Sequence, residues 1–236
     1  MTSNENRRKP KPLLGALGGM GTQATACFYD ILHNMQNVAS EQEYLDVLLY
    51  SMPTIPDRTA FITGRSTESP LGPLLRAAKA LETAGASLLV MLCVTSHYFY
   101  DDLAGAADIP FLSIPAETAK LAHERGAGKI GILATDGTLE GKVLHKAFKN
   151  YGIETLVPPE GAQTALMTMI YNIKRGVAVA PEELRAFVRE LRANGSDAVV
   201  LGCTELCIIS DGSPDVINTL EVAAAASLQA AKKQQA

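Results

Sequence analysis

The sequence contains no tryptophan, few other aromatic residues and few charges. Aromatic residues make up 6% of the 236 residues, charged residues make up 19%, and the formal net charge is −4. Proteins that bind phosphate backbones cluster Lys and Arg on one surface. The only basic cluster here is the segment NRRKPKP, at residues 6–12. We therefore expect no nucleic-acid partner.

Long apolar runs are also absent. The longest is LLVMLCV at residues 88–94, whereas a helix needs about 20 apolar residues to cross a bilayer. No apolar stretch follows the basic N-terminal residues, as it would in a secretory signal peptide. We predict a cytoplasmic protein with no membrane partner, in which residues 1–12 form a disordered tail.

Cysteine is scarce, and the four cysteines do not suggest a disulfide framework, because the cytosol keeps thiols reduced. Cys27 lies among apolar residues of a predicted helix, and Cys207 follows Cys203 by one helical turn. We interpret both Cys27 and Cys207 as core residues. No second cysteine or histidine pair completes a metal site around them, so we predict no metal.

Short apolar runs alternate with longer amphipathic stretches along most of the chain, which predicts an α/β fold of parallel sheets wrapped by helices. Hydrophobic residues make up 47% of the chain, enough for a substantial core. The segment TLEGKVLHKAFKNYG predicts one helix over residues 138–152. The last helix is predicted to begin at INTLEV, residue 217.

The chain also repeats itself, which predicts two pseudo-symmetric lobes with a cleft between them. Residues 13–113 plus 211–236 would form the first lobe, and residues 114–210 the second. The segment LETAGASLLVMLC aligns with LRANGSDAVVLGC, and GALGGMGT aligns with GILATDGT. The first alignment matches Cys93 to Cys203, each at the end of an apolar strand. Because ligands of open parallel sheets bind beyond the carboxyl ends of the strands, both thiols are expected in one cleft.

Two facing thiols suit the inversion of a stereocentre. One cysteine removes a proton as a thiolate, and the other returns a proton to the opposite face as a thiol. A free thiol has a pKa of about 8.5, so its environment must stabilise the thiolate. The hydroxyl groups of Thr95, Ser96 and Thr204 lie close to the two cysteines in sequence and are placed to hold a carboxylate.

The motifs GALGGMGTQAT, YSMPTIPDRT, CVTSHYF, GILATDGT, IKRG and LGCTEL occur in the order found in cofactor-independent aspartate/glutamate racemases. From about Leu13 to about Ala226 the chain resembles that family. The resemblance implies racemisation of a small acidic amino acid, two similar α/β lobes, no pyridoxal cofactor and a homodimer.

The resemblance also implies roles for individual residues. Cys93 and Cys203 match the acid/base pair. Thr95 and Thr204 match the hydroxyl residues that flank these cysteines. The glycine-turn contacts and the cations that hold the acidic substrate match the following positions: Met20, Gly21, Thr22, Arg58 and Lys174.

One substrate contact departs from the family pattern. Relatives usually carry C-N-T-A-H around the first cysteine, and Val94 here replaces the asparagine, whose amide can form hydrogen bonds. Replacement of that contact by Ser96 is one interpretation. A shift of the pocket to a less polar substrate is the other. His97 and Glu205 are interpreted as residues that orient the thiols, with helix capping the alternative for Glu205.

Three other functions stay open from the sequence. A same-fold isomerase, decarboxylase or racemase would act on another carboxylate, and a non-catalytic homologue would bind a dicarboxylate without inverting it. A thiol hydrolase would pair Cys93 with His97 and would not need Cys203. The glycine turn GALGGMG does not have the spacing of a dinucleotide-binding loop, so NAD is not expected.

Overall fold

Two four-stranded parallel sheets form the framework of the protein. The computed structural model describes residues 11–235. The first sheet has the order β2-β1-β3-β4 and the second has the order β6-β5-β7-β8. The strands are β1 (Leu13–Gly18), β2 (Asp46–Ser51), β3 (Leu88–Met91), β4 (Phe111–Leu112), β5 (Lys129–Leu133), β6 (Glu154–Leu156), β7 (Ala198–Leu201) and β8 (Val216–Asn218).

Helices connect the strands and cover the sheets. The α-helices are α1 (Thr22–Asn34), α2 (Arg58–Ile62), α3 (Leu71–Thr83), α4 (Tyr100–Ala106), α5 (Ile114–Glu124), α6 (Asp136–Glu140), α7 (Val143–Lys149), α8 (Glu160–Lys174), α9 (Pro181–Ala193), α10 (Thr204–Ile208) and α11 (Thr219–Gln235). Short 3-10 helices span Glu41–Glu43 and Thr95–Phe99. Within residues 11–235, no helix is both long and apolar enough to cross a membrane.

The two sheets have the same strand order, which confirms the predicted α/β architecture with its internal repeat. Each has its first strand in the interior, paired on one side with the second strand and on the other with the third. The repeated glycines, Gly15 and Gly131, lie on these interior strands. A Cβ at Gly15 would come within 3.2 Å of Leu81, and a Cβ at Gly131 within 3.0 Å of Leu191. The matched glycine–leucine pairs therefore pack a helix against the sheet in each half.

Helix α9 shows how the local sequence produces these elements. Pro181 fits the first turn, where its missing N–H group removes no helical hydrogen bond. Leu184, Val188 and Leu191 recur on one face and are buried. Complete burial of such a side chain contributes about 1.5–3 kcal/mol. After the helix, Gly195 has φ of +91°, which reverses the chain into β7.

Three details of the predicted elements are wrong. The helix predicted over residues 138–152 is divided into α6 and α7 at Lys142, whose φ is +55°. Residue 217 lies in strand β8, and α11 begins at Thr219, where the side chain of Asn218 accepts a hydrogen bond from the Leu220 N–H. Helix α8 is not predicted from the sequence.

The lobe boundaries also need correction. Residues 211–236 were assigned to the first lobe, but β8 pairs with β7 in the second sheet. The chain returns to the first half with α11, which packs against α1 and α5. Of the predicted tail, residues 1–10 lie outside the described residues. Lys11 is ordered by a 3.0 Å ion pair with Asp46.

The two halves make close contact through Thr95 and through Gly137. The hydroxyl of Thr95, in the first half, is 2.9 Å from the hydroxyl of Thr135, in the second. On α6, a Cβ at Gly137 would come within 2.8 Å of the backbone of Thr59 on α2. Glycine is therefore required where these two short helices meet.

We predict that Gly137→Ala lowers the free energy of unfolding by about 1–3 kcal/mol, because the new methyl group would collide with the backbone of α2. Gly161→Ala is the matched control. Gly161 lies in α8, and its new methyl group would meet no neighbouring element within 4 Å, so this change should leave stability unchanged or raise it. Urea unfolding measures both, and equal stability of the two variants would contradict the close contact.

Candidate active site

The two candidate cysteines occupy equivalent places in the two sheets. Cys93 follows the end of β3 by two residues, and Cys203 follows the end of β7 by two residues. Both are nearly buried, with 5% and 4% of their surface exposed. Cys93 precedes the 3-10 helix Thr95–Phe99, whereas Cys203 is the N-cap residue of α10.

The pKa of one cation, Lys174, is influenced by both cysteines. Lys174 lies at the end of α8 and is 22% exposed. Burial disfavours the charged ammonium, yet Glu205, Cys203 and Cys93 together raise the pKa of Lys174 above its usual value. Lys174 therefore lies within electrostatic range of both cysteines, and its charge opposes the rise in the pKa of Cys203.

The Cys203 thiol is hydrogen-bonded to a buried carboxylate. Its Sγ donates to Oε2 of Glu205 at 2.9 Å. Burial is the main factor that raises the pKa of Cys203 well above its usual value, the Glu205 charge adds to this increase, and Lys174 opposes it. Cys203 is consequently a neutral thiol at pH 7, in the form that gives up a proton.

Arg58 provides a second cation, whose charge opposes the rise in the pKa of Lys174. It begins α2 and is 8% exposed. Its Nη1 donates to the carbonyls of Ile55 and Pro56, and its Nη2 donates to the carbonyl of Met20 at 3.2 Å. The Nε is buried, and among residues 11–235 it has neither a hydrogen-bond partner nor a carboxylate in ion-pair contact. A buried guanidinium with a free donor favours an anionic ligand.

Both ring nitrogens of His97 form hydrogen bonds with the backbone. Its Nδ1 is 2.9 Å from the carbonyl oxygen of Cys93, and its Nε2 accepts from the Ile114 N–H at 3.2 Å. The Ile114 bond requires an unprotonated Nε2, so Nδ1 carries the proton and donates to Cys93. Burial lowers the pKa of His97 to about 4. His97 orients the turn that carries Cys93.

The chain matches the family described as Asp/Glu/Hydantoin racemase over residues 17–230. It belongs to this family. The structure is similar to that of the aspartate racemase of Picrophilus torridus, with 27% identity, a TM-score of 0.82 and coverage of 94% of both chains. It is also similar to an aspartate racemase homologue from Pyrococcus horikoshii OT3, with 26% identity, a TM-score of 0.75 and coverage of 94% of this chain and 99% of that chain.

A relative named for broad substrate specificity is also similar in sequence. The broad specificity amino-acid racemase RacX of Bacillus subtilis is 25% identical over 207 residues, which cover 84% of this chain and 88% of that protein. The proteins similar to this chain are therefore named for different substrates: one for aspartate and one for a broad range of amino acids.

The hydroxyl residues of this racemase-family site fall into two groups. Thr204 donates to Glu205 at 3.4 Å, beside Cys203. Thr95 forms a buried triangle with Thr135 and Thr138, in which the oxygen–oxygen distances are 2.9, 2.9 and 3.1 Å. The sequence analysis did not assign Thr135 or Thr138 to the site, although both lie in GILATDGT and the alignment with GALGGMGT matched Thr138 to Thr22.

The other residues predicted to contact substrate differ in their burial. Ser96 is fully buried and donates to the sulfur of Met20 at 3.2 Å. Val94 is 1% exposed and packs in the hydrophobic core, so it does not occupy the cleft as a polar contact would. Gly21 adjoins Glu205, and Thr22 is an exposed residue at the start of α1.

Of the remaining thiols, Cys207 contacts the backbone of Cys203, with its Sγ 3.7 Å from the carbonyl oxygen. Burial raises the pKa of Cys207 to about 12, and its Sγ is 3.4 Å from the hydroxyl of Thr219. Cys27 is half-buried on α1. In the described part of the chain, no group of three or more His, Cys, Asp or Glu side chains could hold a metal.

The low pKa of His97 predicts acid sensitivity. Its folded pKa of about 4 lies below the unfolded value of about 6.5, so the unfolded state binds more protons between these values. His97 should therefore destabilise the fold as pH falls through this window, by about 2 kcal/mol between pH 7 and pH 5. Urea unfolding of His97→Gln should show a pH dependence weaker by that amount.

His123→Gln is the control for this experiment, because His123 is an exposed histidine on α5. It should keep the pH dependence of the wild-type protein. A His97→Gln variant that loses as much stability as the wild type between pH 7 and pH 5 would show that His97 is not the acid-sensitive group.

Proposed function

We propose that the protein racemises a small acidic amino acid, aspartate or glutamate, by proton transfer between Cys93 and Cys203. The observation that carries this proposal is the placement of the two thiols at equivalent strand ends, within electrostatic range of one lysine. The similarity to the aspartate racemase of Picrophilus torridus supports it. The proposed reaction uses side chains alone and needs no pyridoxal phosphate.

The proposed reaction has two proton transfers. The Cys93 thiolate removes the α-proton from one face of the substrate, and the electron pair of the C–H bond stays on the α-carbon. The Cys203 thiol then gives its proton to the opposite face, which leaves Cys203 as a thiolate and Cys93 as a thiol. The reverse direction begins from that second state. Proton exchange with solvent restores the first state.

The charges of the cleft fit an acidic amino acid. Arg58 has a free donor for a substrate carboxylate, and Lys174 supplies a second positive charge. Preorganised cations of this kind also stabilise the negative charge that develops when the α-proton leaves. The buried thiols imply that the halves separate for substrate to enter. The contact from the Tyr171 hydroxyl to Asp57 Oδ2, at 3.4 Å, would then open.

A different substrate is the second candidate. Val94 is buried in the core and provides no amide to the cleft, and the similar RacX protein is named as having broad specificity. Both observations favour a pocket that accepts a less polar side chain. The same pair of thiols would then racemise other amino acids or isomerise another carboxylate.

We predict that the wild-type protein exchanges the α-proton of aspartate or glutamate in heavy water and forms the opposite enantiomer. Cys93→Ser and Cys203→Ser should each lower the racemisation rate by at least about 10²-fold, because each removes one acid/base group. Proton NMR follows the exchange, and chiral chromatography follows inversion of L- and D-aspartate and L- and D-glutamate.

Cys27→Ser is the control, since Cys27 lies on α1 outside the candidate site, and it should keep the wild-type rate. Racemisation at the wild-type rate by either Cys93→Ser or Cys203→Ser would overturn the two-thiol mechanism. A dicarboxylate that raises the melting temperature without any exchange would instead indicate a non-catalytic binding protein.

A further inference from the structure

The two carboxylate oxygens of Glu205 differ in their hydrogen bonds. One accepts from the Cys203 thiol, which the proposed mechanism uses, and within residues 11–235 the other accepts none. The side chain is 3% exposed. Its Oε2 accepts from Cys203 and Thr204, whereas its Oε1 is buried without a hydrogen-bond donor among the residues that the structure describes. The nearest ammonium, Nζ of Lys174, is 4.0 Å from Oε1, beyond hydrogen-bond distance. A buried carboxylate oxygen that accepts no hydrogen bond is costly, even with an ammonium at this distance.

The free oxygen points across the cleft to the first half of the molecule. Oε1 lies beside Gly21, where it would collide with any Cβ. Gly21 precedes α1, whose first turn contains no acidic side chain and whose N-terminus has no side-chain cap. Glycine at this position leaves the space that Oε1 occupies. The carboxylate therefore lies between the Cys203 thiol and the turn that follows β1.

We propose that Oε1 of Glu205 binds the α-ammonium group of the substrate. This proposal rests on the proposed racemase function. The Cys203 thiol must reach the α-carbon, and the ammonium nitrogen is bonded directly to that carbon. A carboxylate that holds the thiol with one oxygen has its other oxygen close to the position of the ammonium. Charge-assisted hydrogen bonds of this kind are among the strongest in proteins.

This contact defines the substrate class of the site. Arg58 and Lys174 attract carboxylates, whether or not the ligand carries an amine. Glu205 adds a negative charge that pairs only with a cationic group and repels a ligand without one. The site therefore selects carboxylates with a free α-ammonium group, and it disfavours dicarboxylates or N-acylated amino acids of the same size.

Calorimetric titration with DL-aspartate and with succinate tests this contact, because succinate keeps both carboxylates and lacks the ammonium. A racemic ligand remains at constant composition during the titration even if the protein turns it over. The wild-type protein should bind aspartate more tightly than succinate. Glu205→Gln should weaken aspartate binding by about 10- to 100-fold and leave succinate binding unchanged or tighter. Glu221→Gln, an exposed control on α11, should preserve both affinities.

Two results would overturn the ammonium contact. In a Glu205→Gln variant that melts like the wild type, an unchanged ratio of aspartate to succinate affinity would limit Glu205 to orienting Cys203. Equal affinity of the wild-type protein for both ligands would overturn it without any variant, so a poorly folded variant does not prevent the test. Failure of the racemase function is seen separately, as absence of α-proton exchange by the wild-type protein.

Discussion

The burial of unlike charges between two halves of one chain is the constraint on which the rest of this structure depends. Arg58, Glu205 and Lys174 converge on one cleft, and removal of a charge from water costs several kcal/mol unless partners compensate it. The carbonyls of the loop before α2 and of Met20 compensate Arg58. The Cys203 thiol compensates one oxygen of Glu205. Glu205 therefore connects the candidate reactive thiol of Cys203 to the Lys174 ammonium.

The sequence predicted the frame of this network because the frame is repeated and periodic. The parallel sheets follow from the alternating apolar runs, and the equivalent placement of Cys93 and Cys203 at strand ends follows from the internal repeat. Arg58 and Lys174 could be assigned only by resemblance to known racemases, because a single charged residue has no local pattern that separates a ligand contact from a solvated surface residue.

The parts that the sequence did not predict depend on contacts between distant segments. Thr95 meets Thr135 and Thr138 only when β3 and β5 bring the two halves together, and no periodicity marks a hydroxyl group for such a contact. The division of α6 from α7 depends on the left-handed backbone of Lys142, a conformation that its residue type does not favour. Tertiary packing overrides local preference at these positions.

The two halves share a fold, but the surroundings of their thiols differ. Glu205 and Thr95 occupy equivalent positions, each two residues beyond its cysteine, and one is a carboxylate while the other is a neutral hydroxyl. Burial and, after it, the Glu205 carboxylate raise the pKa of Cys203, whereas Thr95 directs its hydroxyl to two other threonines. The proposed racemase would need one thiol and one thiolate at the start of each turnover. Repetition of the backbone supplies two symmetric positions, and in the proposed mechanism the Glu205 carboxylate would favour the state in which Cys203 holds the proton.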